Sequence, residues 1–120
     1  MLIKKILVLL LVSNSLFASD IYEDIAGKIR NGDAKQLATY FGNSIDLSIV
    51  DKESVYSKSQ AELIIKDFFS KNAPKSFSIL HKGASPEGTQ YAIGNLVTVN
   101  GKTFRASFYF KTINGKSVLQ

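Results

Sequence analysis

Val97–Ser117 reads VTVNGKTFRASFYFKTINGKS, in which two Asn-Gly dipeptides bracket a run that alternates Phe104, Ala106, Phe108 and Phe110 with Arg105, Ser107, Tyr109 and Lys111. Alternation at period two marks a strand with one buried and one solvated face. An Asn-Gly pair between two such runs is the strongest short-range sign of a hairpin. A two-residue turn at Asn100-Gly101 predicts that Val97 pairs with Phe104, Asn95 with Ala106, Ile93 with Phe108 and Tyr91 with Phe110. In that register the bulky residues of both strands share one side, and Gly94, Thr98, Arg105, Ser107, Tyr109 and Lys111 form the solvent face. Asn114-Gly115 predicts a second tight turn that sets Leu119 opposite Phe110. The final strand then stops with Gln120 opposite Tyr109, leaving Thr103 to Phe108 without a neighbour. Because long exposed edges promote aggregation, the expectation is that the natural chain continues past Gln120; an edge filled by another chain is the alternative.

Upstream of this meander the period changes to that of helices. Asp20-Ile-Tyr-Glu23 has the capping-box pattern, and Ile21, Ile25 and Ile29 follow at helical spacing, which predicts a first helix to about Arg30. Asp33 can cap a short second helix carrying Leu37, Ala38 and Phe41 before Gly42. Ile45–Val50 (IDLSIV) reads as a strand with a short partner in ESVYS. Ser59-Gln-Ala-Glu62 is a second capping box that opens a helix with Ala61, Ile64, Ile65 and Phe68 on one stripe, ending near Asn72 ahead of Pro74. SFSILHKGAS, TQYAIGNLVTV and KTFRASFYFKTI are the strands that follow. Helices first and an antiparallel meander after them predict an α+β fold, with N-terminal helices packed on a curved antiparallel sheet.

The first eighteen residues, MLIKKILVLLLVSNSLFA, stand apart. Lys4 and Lys5 precede the apolar run Ile6 to Val12 and small residues follow, the layout of a secretory signal peptide. The run is too short to anchor the chain across a bilayer. Cleavage after Ala18 is expected, with a Ser13-x-Ser15 site as the alternative, which leaves residues 19–120 as one domain in a periplasmic or secreted bacterial protein. With no cysteine in the chain, that domain stands on its core without disulfides, and no thiol is available for a lipid anchor after cleavage.

Charge is divided unevenly. Ser19 to Asp67 carries nine carboxylates and six cations, whereas Phe68 to Gln120 carries seven cations and one carboxylate, Glu87. The imbalance can attract anionic partners, but the lysines are scattered and no stacking aromatic motif accompanies them, so no nucleic-acid partner is expected. Lysines that protect exposed strands explain the same pattern.

The segment LHKGASPEGTQYAIGNLVTVNGKTFRASFYFKTINGKSVLQ, preceded by DIYEDIAGKIRNGDAKQLATYFGNSIDLSI, resembles a set of short exported Bacteroidetes proteins catalogued as a domain of unknown function. The resemblance runs from Asp20 to Gln120. It implies a fold of the nuclear transport factor 2 type, a cone of sheet and helices within the cystatin-like superfold, and no catalytic residues to carry over. Gln90-Tyr-Ala-Ile-Gly94 is also superficially similar to the Gln-x-Val-x-Gly hairpin of cystatin inhibitors. Ala92 replaces the valine, the segment lies within a strand, and no tryptophan is present, so an inhibitor role is not expected.

A cone encloses a cavity, and the first functional expectation is a non-catalytic binding protein that holds a small apolar or amphipathic ligand there or pairs with an envelope partner. Tyr91 and Asn95 fall on the expected apolar side, Asn95 opposite small Ala106. His81, the only histidine, shares parity with Phe77 and Ile79. These three are the candidate ligand contacts, although a buried Asn often serves a bulged backbone and a lone His near a strand end is usually exposed or satisfied. The alternative is a small isomerase- or dehydratase-like enzyme with His81 as its base. Against it stand the lack of paired carboxylates, of an activated nucleophile and of metal-ligand spacing; no metal or cofactor is expected. A second alternative is a scaffold that dimerises through the sheet face bearing Arg105, Tyr109 and Lys111.

Overall fold

The computed structural model describes residues 20–49 and 51–120. The expected signal peptide, residues 1–18, lies outside the described residues. Helix α1 spans Ile21–Arg30 and α2 Ala34–Ala38; strands β1 (Ser44–Ile49) and β2 (Lys52–Ser57) form a hairpin; α3 spans Lys58–Lys71. Strands β3 (Pro74–Ala84), β4 (Gln90–Thr98), β5 (Thr103–Ile113) and β6 (Lys116–Leu119) then form an antiparallel sheet in sequence order. The expected α+β architecture is thus observed. Among the described residues no helix is long and apolar enough to cross a membrane.

Each helix starts on a side-chain cap. The Asp20 carboxylate accepts from the Tyr22 amide at 2.9 Å and that of Asp33 from the Gln36 amide at 3.0 Å, relieving amide groups that have no partner inside their helix. For α3 the box is Ser57 with Gln60, not Ser59 with Glu62: the Ser57 hydroxyl accepts from the Gln60 amide and the Gln60 side chain accepts from the Ser57 amide. Ser57 is still paired with Ser44 in the hairpin, so β2 turns directly into the helix and the first available cap is used. The core lies between helices and sheet, with Ile25, Ala26, Ala61, Phe77, Ala92 and Phe110 almost wholly buried. Arg30 crosses from α1 to β3, donating from Nε and Nη2 to the Phe77 carbonyl at 3.3 and 3.0 Å.

The β4–β5 register corrects the sequence reading. Leu96 pairs with Phe104, Asn95 with Arg105, Ile93 with Ser107, Ala92 with Phe108 and Tyr91 with Tyr109, one residue away from the expected set. The connection has three residues, not two. The Thr98 amide donates to the Lys102 carbonyl at 2.9 Å, the Gly101 amide to the Thr98 carbonyl at 3.1 Å, and Gly101 has φ +84°. This is a turn closed by a left-handed glycine, the usual three-residue hairpin loop.

Tertiary contacts explain the choice. The Asn100 side-chain amide reaches the Lys71 carbonyl and Asn72 Oδ1 at 3.4 and 3.2 Å, its oxygen accepts from the Thr98 hydroxyl, and the Val99 amide donates to the Ala73 carbonyl. The loop is fastened to the end of α3. Asn114-Gly115, without such ties, forms the expected tight turn with φ +52° and +78°, and Leu119 faces Phe110 as expected.

The slip turns Ala92, Gly94, Leu96 and Thr98 toward the helices and Tyr91, Ile93, Asn95 and Val97 outward. Small residues are required on the inner side. A Cβ at Gly94 would lie 2.2 Å from the Ser78 carbonyl oxygen and 3.0 Å from the Phe77 ring. Strand β3 carries its own irregularity, a register shift between Ile79 and His81. Ile79 pairs with inward Gly94 but His81 with outward Ile93, so the extra residue, Leu80, reverses the parity that placed His81 with Phe77.

Candidate functional site

Phe104 and Phe108 of β5 and Leu96 of β4 form one wall of an open cleft; Ile65 and Phe68 of α3 and Ile45 and Leu47 of β1 form the other. Its volume is about 940 Å³. Phe68 meets Phe104 edge to face, with centroids 5.1 Å apart and planes at 72°, an arrangement favoured by the quadrupoles of the two rings. Helix α3 begins directly off β2 and its Phe68 reaches Phe104 on β5, whereas α1 packs on β3. The other end of the inner face is filled: Tyr22 packs edge-on against Phe110 at 5.2 Å, and Lys82 covers the Tyr22 ring at 4.9 Å while its ammonium lies 3.7 Å from the Asp20 carboxylate.

Charge is confined to the rim. Asp46, Asp51 and Glu53 stand on the hairpin side, Arg105 and Lys111 on the β5 side. The surface of Arg105, Ser107, Tyr109 and Lys111 belongs to the outer face of the sheet, yet it borders the same opening because Thr103 to Phe108 pair only with β4 among the described residues. The cleft is therefore a groove that continues round a strand edge, not a closed chamber. An apolar floor with a charged rim suits a molecule whose apolar part is buried and whose polar part stays wet.

None of the three expected ligand contacts lines this cleft. Tyr91 and Asn95 face outward with β5's Tyr109 and Arg105, and His81 is exposed beside Ile93. The slip and the bulge instead bring all three onto the face that carries Arg105, Tyr109 and Lys111. The rings of Tyr91 and Tyr109 lie 6.0 Å apart. The cleft residues Phe68 and Phe104 were legible as core positions, but the groove between them carried no polar mark in the sequence. Among the described residues no group of three metal-ligating side chains occurs. Two groups have shifted acidity, and both lie outside the cleft. Burial and the nearby Asp24 carboxylate raise the Tyr40 phenol, whereas backbone and Ser85 hydrogen bonds, aided by Lys111, lower the Glu87 carboxyl despite a small opposing burial effect.

Comparison with known proteins agrees with this architecture. A DUF4783 family protein from Bacteroides uniformis is 29% identical with a TM-score of 0.76, over 84% of this chain and 92% of that one. An uncharacterised cystatin-fold protein from Novosphingobium aromaticivorans, 8% identical, superposes with a TM-score of 0.60 over 80% of this chain and 88% of that one. The structure described as Rd1NTF2_04 with long sheet, 13% identical, gives 0.60 over 82% and 90%. The last two likenesses are of fold alone. No curated protein matches. The model of the domain of unknown function DUF4783 matches residues 22–120, and the chain belongs to that family.

Proposed function

We propose that this protein is an exported, non-catalytic binding protein that holds an apolar or amphipathic small molecule in the cleft between α3, β1 and the inner face of β5. The observation that carries the reading is the cleft itself, about 940 Å³ with Phe68, Phe104 and Phe108 on its walls and charge only at its rim. Such a volume falls in the range of small-molecule sites. Native mass spectrometry of the protein purified from its own host should show a co-purifying mass, and an environment-sensitive apolar dye should bind the emptied protein. Ala106→Phe puts a ring into the cleft and should weaken dye binding about tenfold or more; dye binding indifferent to it would sink the reading. Export rests on the leader pattern of residues 1–18, and N-terminal sequencing of the mature protein tests it.

A second reading, recognition through the outer sheet face, is favoured by the gathering of Tyr91, Asn95 and His81 beside Arg105, Tyr109 and Lys111. The catalytic alternative loses support, because His81 stands on that face and away from the cleft.

A further inference from the structure

The outer face of the sheet combines two kinds of recognition chemistry. Arg105, Ser107, Tyr109 and Lys111 follow one another at every second position of β5, so the two cations are about 20 Å apart at the pitch of a strand. Across from them on β4, Asn95 pairs with Arg105 and Tyr91 with Tyr109. Tyr109 is 47% exposed, and Arg105 and Ser107 are exposed as well. The salt bridges of the described residues use Arg30, Lys71 and Lys82, not Arg105 or Lys111. The strands of this sheet hold no carboxylate; Glu87 sits in the β3–β4 turn, where its pKa is lowered by backbone and Ser85 hydrogen bonds and, to a smaller extent, by Lys111.

The pattern selects among anions. A phosphate-dense polymer or membrane surface calls for closely spaced cations, whereas here two cations flank a stretch of neutral hydroxyl and amide groups. A second copy docked face to face would set these cations against the same cations. The chemistry that matches is a chain of hydroxyl-rich rings bearing carboxylates at intervals. Arg105 can take a carboxylate in two parallel hydrogen bonds, the Asn95 amide and Ser107 hydroxyl can serve sugar hydroxyls, and the two tyrosine rings offer apolar surface with a polar tip.

We infer that the outer face of β4 and β5 is a binding surface for an acidic, uronate-bearing glycan, with Arg105 as its carboxylate anchor and Tyr91 and Tyr109 as its ring platform. The inference rests on the second reading above, that this face is a recognition surface; it does not require an occupied cleft, although Arg105 and Lys111 also stand on the cleft's rim.

The probe is an oligogalacturonate titrated into the full-length protein by calorimetry, with a neutral galacto-oligosaccharide of the same length for comparison. Binding should be at least tenfold weaker for the neutral sugar. Arg105→Ala should cost about tenfold in affinity with Arg105→Lys between, and Tyr109→Ala should weaken binding more than Tyr109→Phe. Leu63→Ala, an exposed site on α3, should leave both the sugar titration and dye binding in the cleft unchanged. Thermal melts within a few degrees of the parent would confirm that the variants fold. Three results would each overturn the inference: no oligogalacturonate binding at millimolar concentration, equal or tighter binding of polyphosphate or phosphatidylglycerol vesicles with the same dependence on Arg105, or a dimer that dissociates on Tyr109→Ala and takes up no sugar. Failure of the parent protein to bind the dye, with the sugar titration intact, would count against the cleft reading alone.

Discussion

The two Asn-Gly pairs are chemically identical and structurally unlike. Asn114-Gly115 has both residues in the left-handed region and joins β5 to β6 with no residue to spare. At Asn100-Gly101 only the glycine is left-handed; the asparagine spends its side chain on the end of α3, and the loop takes in Val99. Local preference decides where nothing else touches the turn. Where a helix end lies within hydrogen-bond reach, packing decides, and the extra residue reverses which side of β4 is buried.

The sharpest way to break the contrast is to shorten the first loop. Deleting Val99 imposes a two-residue turn, which would carry Tyr91 and Asn95 inward and remove Gly94 from the one place it fits. Destabilisation of about 3 kcal/mol or more, or loss of folding, is expected in urea titrations. A stable variant with contacts between Tyr91 and Phe110 would show that the turn alone governs register. Gly94→Ala tests the same lock from the strand side. Its Cβ meets backbone at 2.2 Å and cannot be relieved by a rotamer change, so a loss of about 2 to 4 kcal/mol is expected in the same measurement.

Substituting the asparagines should separate the turns more finely. Asn100→Gly removes the ties to Lys71 and Asn72 and should cost about 1 kcal/mol, whereas Asn114→Gly replaces a left-handed asparagine with the residue best suited to it and should be neutral within about 0.5 kcal/mol. Equal effects would dissolve the distinction between them. The smallest effect concerns the third sheet turn, at Glu87. Its lowered pKa means that the folded state holds the proton more weakly than the unfolded chain. Its stabilising contribution is therefore present above the unfolded carboxyl value and fades as pH falls through the lower folded one. The Glu87 carboxyl resonance should titrate below that of a reference peptide, and Ser85→Ala should move it upward.

Much of the fold was legible because its signals are local. Asp20 and Asp33 both cap their helices, although Asp20 does so at the Tyr22 amide and Glu23 pairs with Arg30 and does not complete a box; the helical stripe of Ile25 and Ile29 is buried, and the inward face of β5 follows from alternation alone. Strand β4 was not, because both its faces carry apolar residues and the bulkier set, Tyr91, Ile93 and Val97, is the outward one. What the Ser78 carbonyl and the Phe77 ring demand at Gly94 is smallness, and Ala92-x-Gly94 was the available sign of it. The bulge at Leu80 has no local mark, so His81 could not be placed. The site suffered most, since each candidate contact was assigned by parity, and parity is the property that a single extra residue inverts.

One further contact links distant parts of the chain. The Leu119 amide donates to the Tyr40 carbonyl at 2.7 Å and the Gly42 amide to the Leu119 carbonyl at 3.3 Å, making a parallel bridge between Phe41 and Leu119. Both sheets and α3 lie within the loop these bonds close, so the clasp should form late, after the entropy of a long closure has been met by the meander and α3. Weakening it should hasten unfolding while refolding keeps its pace, with a kinetic φ-value near zero for Leu119→Ala measured by stopped-flow.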